Sequence, residues 1–303
     1  MSHLLDSRPG TAEYSRGIAA CLGAALLWSS AGLFIKQVEL PPLEIATIRA
    51  LISTVFFVAM TRLLRAEFRN WSWISVGAAA GMGLTAVSFV VATKWTTAAA
   101  AIFLQSTAPA WVLLLDWLAH GRPPRLRDLA AVAGCGVGLA LFFVGNLQMA
   151  GFWGNVIALG SGLCFAIHTV CLRRVPPDRQ VPVLAAGNAI AAVAAASLAA
   201  SGLLERLVPG TLVWSWPQPA QWLCLAYLGG IQIGLGYFLF SLGIRRLPSI
   251  QVSLLVLLEP MLNPVWVYLG NGETPGRWAI AGGAIVLGTL AWHSLAGRGE
   301  VES

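Results

Sequence analysis

The chain is 303 residues long, 57% hydrophobic and only 11% charged, with a mean hydropathy of +0.74. Soluble domains run near a quarter charged, so these figures exclude a soluble globular protein and point to an integral membrane protein. The net charge of +6 does not signal nucleic-acid binding, because the basic residues fall in short segments between apolar runs, where the positive-inside rule accounts for them.

In chain order, a polar stretch at 1–16 without a separate signal-peptide pattern is followed by ten apolar runs long enough to span a bilayer. They lie at roughly 17–35, 44–63, 71–93, 97–119, 127–145, 152–173, 182–203, 219–244, 249–270 and 276–296. Backbone groups in lipid must be satisfied internally, and continuous runs of this kind argue for helices rather than a barrel. The expectation is an all-α polytopic membrane protein with ten transmembrane helices. Fourteen of the 19 Lys and Arg residues fall on one side when both termini are cytoplasmic; Lys36, Lys94, Arg206 and Arg277 fall on the other, and Arg49 lies inside a helix. That split sets both termini in the cytoplasm. Cys21, Cys135, Cys164, Cys171 and Cys224 are scattered through apolar segments without paired spacing and are read as small buried residues rather than metal or redox groups.

The chain repeats itself. Gly17–Trp28 (GIAACLGAALLW) resembles Gly154–Phe165 (GNVIALGSGLCF), and Ser106–Pro124 resembles Ser249–Pro275. In the latter pair a proline stands twelve residues before a glycine (Pro109 to Gly121, Pro260 to Gly272), and another proline follows three residues on. Each half holds five runs, an odd number, so the copies must cross the membrane in opposite directions. The expected organisation is a cytoplasmic tail at 1–16, a first five-helix repeat at 17–146, an inverted second repeat at 152–297 and a cytoplasmic tail at 298–303. Inverted repeats characterise secondary transporters, whose substrate sites lie near the midplane between halves.

These segments resemble the drug/metabolite transporter superfamily, specifically permeases built from two EamA repeats. The resemblance rests on Leu26–Lys36 (LLWSSAGLFIK), Pro41–Ile52 (PPLEIATIRALI), Gly236–Pro260 and the GRPP and GNGETP turns, and it covers residues 15–297. Gly121-Arg122 departs from the Gly-Glu often found in that family. The resemblance implies movement of a small metabolite by alternating access without ATP, in the cytoplasmic (inner) membrane.

Glu259 is the leading functional candidate. It lies ten residues past Ser249, roughly 15 Å into a helix, about half of a ~30 Å hydrocarbon core. A carboxylate there is costly, and Pro260 should free carbonyls near Leu255 and Val256 toward a cavity. Proton relay, cation ligand and structural ion pair all remain open for it. Arg49 could snorkel outward, pair with Glu259 or bind a substrate carboxylate. His168 reads as a packing residue that could also take part in proton coupling. Gln105 and Ser106 precede Pro109 and could line the cavity from the other half; Asn263 follows Glu259 by a turn; Trp28 and Tyr237 could wall a pocket. Pro109, Pro260 and Pro264 are the candidate kink or gating positions. Asp116 is expected to pair with loop arginines, and the pairs Gly77–Gly81, Gly134–Gly138 and Gly230–Gly234 to let helices approach closely.

The function expected is a secondary active transporter, an exporter of a small polar or amphipathic metabolite, amino-acid-like in the first instance. A channel or uniporter is the alternative. An enzyme is not expected, since no His-Glu-x-x-His, no Gly-x-Ser-x-Gly and no second central carboxylate occur. The partners expected are substrate and lipid, with proton coupling open, the chain acting as monomer or homodimer, and no cofactor, metal or nucleic acid involved.

Overall fold

The computed structural model describes residues 11–30, 34, 38–69, 71–96, 98–121, 123–143, 151–202, 216–262, 266 and 276–302, with side chains at all of these except 11, 42, 93, 94, 98, 99, 120 and 297–302. No strand occurs among the described residues. The helices are α1 (Thr11–Ser29), α2 (Pro42–Leu63), α3 (Trp73–Trp95), α4 (Ala98–Gln105), α5 (Ala108–His120), α6 (Leu126–Phe142), α7 (Phe152–Arg174) and α8 (Pro177–Ala200). They continue as α9 (Pro219–Ala226), a π-helical segment (Tyr227–Leu235), α10 (Gly236–Ile244), α11 (Ser249–Val256) and α12 (Arg277–Glu302). Among the described residues, seven helical stretches are long and apolar enough to cross a membrane.

Local chemistry sets the boundaries. Proline opens α2 and α8 at the first helical turn, where its missing N–H costs nothing. Ser72 caps α3 by accepting from the Ser75 N–H at 3.2 Å. Gly121, at φ 66°, closes α5 in the left-handed conformation that glycine tolerates.

Four expected helices differ from the sequence reading. The first is already helical at Thr11, ahead of the expected start at 17, and distant partners hold this turn: Arg246 Nε donates to Glu13 Oε2 at 2.7 Å, and the Tyr14 hydroxyl donates to the Ser294 carbonyl at 2.9 Å. The fourth is broken at Ser106–Thr107 into α4 and α5, since Pro109 offers no N–H to the Gln105 carbonyl. The ninth breaks in the corresponding place, with α11 ending at Val256 and Leu257 donating back to Leu254 at 3.0 Å, three residues before Pro260. The eighth run is not uniformly α-helical, as its centre is the π segment.

Helix α3 packs on α7 and α8, α2 on α8 and the π segment, α1 on α10, and α6 on α12. Small residues allow these crossings. A Cβ on Gly81 would meet the His168 backbone N at 2.8 Å, and one on Gly229 would meet the Arg49 carbonyl at 2.7 Å. The largest core cluster, including Trp28, Phe57, Met82, Phe165, Leu184 and Phe240, lies where α1, α2, α3, α7, α8 and α10 converge.

Candidate functional site

The breaks in the fourth and ninth runs open onto one cavity of about 160 Å³. From the α4–α5 side it is lined by Gln105, Ser106 and Ala108, and from the α11 side by Val256, Leu257, Glu259 and Pro260. Unwound backbone at membrane depth is tolerated where it borders a cavity, and both interruptions do so here.

Six of the expected site residues come together on its wall: Trp28, Arg49, Gln105, Ser106, Tyr237 and Glu259. Pro260 lines it too, whereas Pro109 sits in the first turn of α5 beside the lining residue Ala108. His168 does not line the cavity. It is fully buried behind the wall, its ring 5.7 Å from Tyr237 and 6.4 Å from Phe165, and its Nδ1–H donates to the Ala78 carbonyl at 2.7 Å. Its Nε2 is buried without a hydrogen-bond partner among the described residues. Asn263 and Pro264 lie outside the described residues.

Arg49 and Glu259 act on one another's charge, and both act on Tyr237. They do not close into an ion pair within 4.0 Å; the ion pairs among the described residues lie elsewhere, as at Glu13–Arg246 and Glu13–Arg16. The aromatic wall is continuous, with Trp28 ring centroids 4.6 Å from Tyr237, 5.4 Å from Phe240 and 6.2 Å from Phe165. Trp28 Nε1 and Gln232 Oε1 are buried without a hydrogen-bond partner among the described residues. Asp116, by contrast, is far from this site in role, its charge acting on Arg173.

Sequence reasoning passed over Thr85, Asn188, Gln232 and Ser253, all of which line the cavity. A signal was present for two of them. Asn188 is the single polar side chain in the stretch AAGNAIAA, and Gln232 the single one in LGGIQIGLG; an amide isolated in an apolar run needs a partner or a cavity. Among the described residues, no group of three or more His, Cys, Asp or Glu side chains comes together as metal ligands would.

The cavity therefore offers one cation, one carboxylate, several amides and an aromatic wall, in a volume suited to a small molecule. Drug-sized ligands occupy roughly 300–1,000 Å³, whereas a cavity near 150 Å³ admits a molecule the size of benzene.

The EamA-like transporter family model matches residues 15–144 and 152–295. An uncharacterized transporter of Archaeoglobus fulgidus is 24% identical over 279 residues, 91% of this chain and 96% of its own. The uncharacterized transporter YwfM of Bacillus subtilis is 26% identical over 274 residues, 84% of this chain and 86% of its own. The threonine/homoserine exporter RhtA of Escherichia coli is 30% identical over 139 residues, 45% of this chain and 44% of its own. A solved crystal structure shares the fold, with a TM-score of 0.77 and 20% identity over 98% of this chain and 100% of its own.

Proposed function

The chain belongs to the EamA-like transporter family, and on that premise we propose that it is a secondary active carrier that exports a small amino-acid-like zwitterion by alternating access. The observation that carries this reading is the placement of Arg49 and Glu259 on one small cavity without an ion pair between them. A guanidinium at membrane depth is costly without a counter-charge. A substrate carboxylate can supply it bidentately, and a substrate ammonium does the same for Glu259. An anion alone would meet Glu259, and a cation alone would meet Arg49; a zwitterion suits both. The partial likeness to a threonine/homoserine exporter supports both the substrate class and the direction.

Alternating access is supported by the pairing of equivalent segments from the two halves. Gly17 lies against Arg246 and Leu247, and its repeat counterpart Gly154 lies against Trp95 and Thr96. Trp95 and Arg246 stand at the same spacing as Pro109 and Pro260. The packing of α1 on α10 is thus matched by that of α7 on α3, as an inverted pair of five-helix repeats at 17–146 and 152–297 requires. In this reading the multi-pass chain sits in the cytoplasmic (inner) membrane with both termini inside, as a monomer or homodimer, and Glu259 exchanges a proton for substrate.

Flux of radiolabelled L-threonine from proteoliposomes tests the assignment. Wild-type protein should show saturable, counterflow-stimulated efflux, and Glu259→Gln should abolish its pH dependence. Unchanged transport in Glu259→Gln would sink the role of Glu259, and large single-channel currents would replace the carrier by a channel.

A further inference from the structure

Two amides on the cavity wall are locked in orientation by their own partners. Asn188, only 3% exposed, points its Nδ2 at the Leu184 carbonyl at 2.9 Å and at Met82 Sδ at 3.8 Å. A carbonyl only accepts, so the group facing it must be the amide nitrogen, and Oδ1 is left without a protein donor among the described residues. Gln105 is fixed by a relay. The Ser161 hydroxyl gives its proton to the Thr85 carbonyl at 3.3 Å and so accepts from Gln105 Nε2 at 2.9 Å. Gln105 Oε1 then likewise takes no hydrogen bond from the protein among the described residues. Both residues and Glu259 line the same cavity.

We propose that Gln105, Asn188 and Glu259 form a three-acceptor seat for a primary ammonium, with Ser161 and the Leu184 carbonyl holding the two amides oxygen-first toward the cavity. An ammonium carries three N–H donors and no acceptor, which matches two amide oxygens and a carboxylate. Without Ser161, the Gln105 amide is free to turn its NH₂ toward the ligand and repel it. Asn188 and Ser161 are accordingly specificity-determining positions, the second acting through Gln105. The proposal rests on reading the cavity as the substrate site.

Binding of L-threonine and of (R)-3-hydroxybutanoate, the same molecule without its ammonium, to the purified full-length protein tests it by calorimetric titration. Asn188→Leu should weaken L-threonine binding about 10- to 100-fold, the loss expected for a hydrogen bond to a charged group, and leave 3-hydroxybutanoate within about 2-fold of wild type. Ser161→Ala, a one-atom deletion, should weaken L-threonine alone, and it carries the comparison should Asn188→Leu fail to fold. Asn188→Asp, which keeps an acceptor, should retain L-threonine binding. Equal losses for both probes overturn the ammonium seat while leaving the site reading intact. If the wild-type protein binds neither probe, the reading of the cavity falls and the seat falls with it.

Discussion

Arg49 of α2 and Glu259, just beyond α11, face one cavity and feel each other's charge without meeting as an ion pair. Their separation follows from backbone packing rather than from side-chain length. Gly229 of the π segment lies against the Arg49 carbonyl, seating α2 close to the π segment, while the break at Leu257 ahead of Pro260 turns the following residues onto the cavity wall. Two charges kept apart in a shared space are available to a third party.

The first prediction concerns the cation. Arg49→Lys keeps the charge and loses the planar fork, so KM for L-threonine efflux should rise about 10-fold; Arg49→Gln should raise it by about 10- to 100-fold or more. An unchanged KM in Arg49→Gln would remove Arg49 from the binding site.

Glycine positions give opposite outcomes within one helix pair. A Cβ on Gly81 meets α7 backbone at 2.8 and 2.9 Å, whereas one on Gly160 meets nothing within 4 Å. Gly81→Ala should destabilise by about 1–3 kcal/mol, and Gly160→Ala should stabilise by about 0.5–1 kcal/mol. Unfolding of both variants in the same detergent checks the order, and its reversal would contradict the α3–α7 packing.

Gln232 is 6% exposed and its Oε1 has no partner among the described residues. Gln232→Met removes a buried acceptor at similar volume and should stabilise by about 1 kcal/mol while lowering the transport rate, the usual exchange at a functional site. A variant neither more stable nor slower in efflux would show that the orphan oxygen matters to neither.

At the start of α1, hydrogen bonds from Arg246, and then Arg16, hold the Glu13 carboxyl below its ordinary value of 4.5. With the folded value depressed, the contact contributes in full above about pH 4.5 and is lost as pH falls through the lower folded value. Spin-label distances between the first turn of α1 and the α10–α11 connection should lengthen on acidification in wild type. In Glu13→Gln the distance should be insensitive to pH over that range; a wild-type distance that does not change would show that the contact does not fasten this end.

Much of the fold was legible because lipid permits few backbone solutions: a long apolar run must be helical, and among the described residues seven such helices appear where runs were marked. Pro109 and Pro260 announced the breaks, since a missing N–H is a local fact. The π segment was not announced, because a widened turn depends on what packs against it, here Ile52 and Arg49 on α2 against Gly229. Asn188 and Gln232 were passed over for the same reason: a lone amide in an apolar helix does not reveal which way it points.

The sequence by itself determined a membrane-embedded helical chain, its family resemblance and the presence of isolated polar groups that had to be accommodated. Only the tertiary structure decided that Arg49, Gln105, Asn188 and Glu259 share one cavity while His168 stands behind it. Composition and periodicity act along the chain, but a cavity is made by side chains from helices far apart in sequence, whose facing sides are set by close packing across glycines and broken turns.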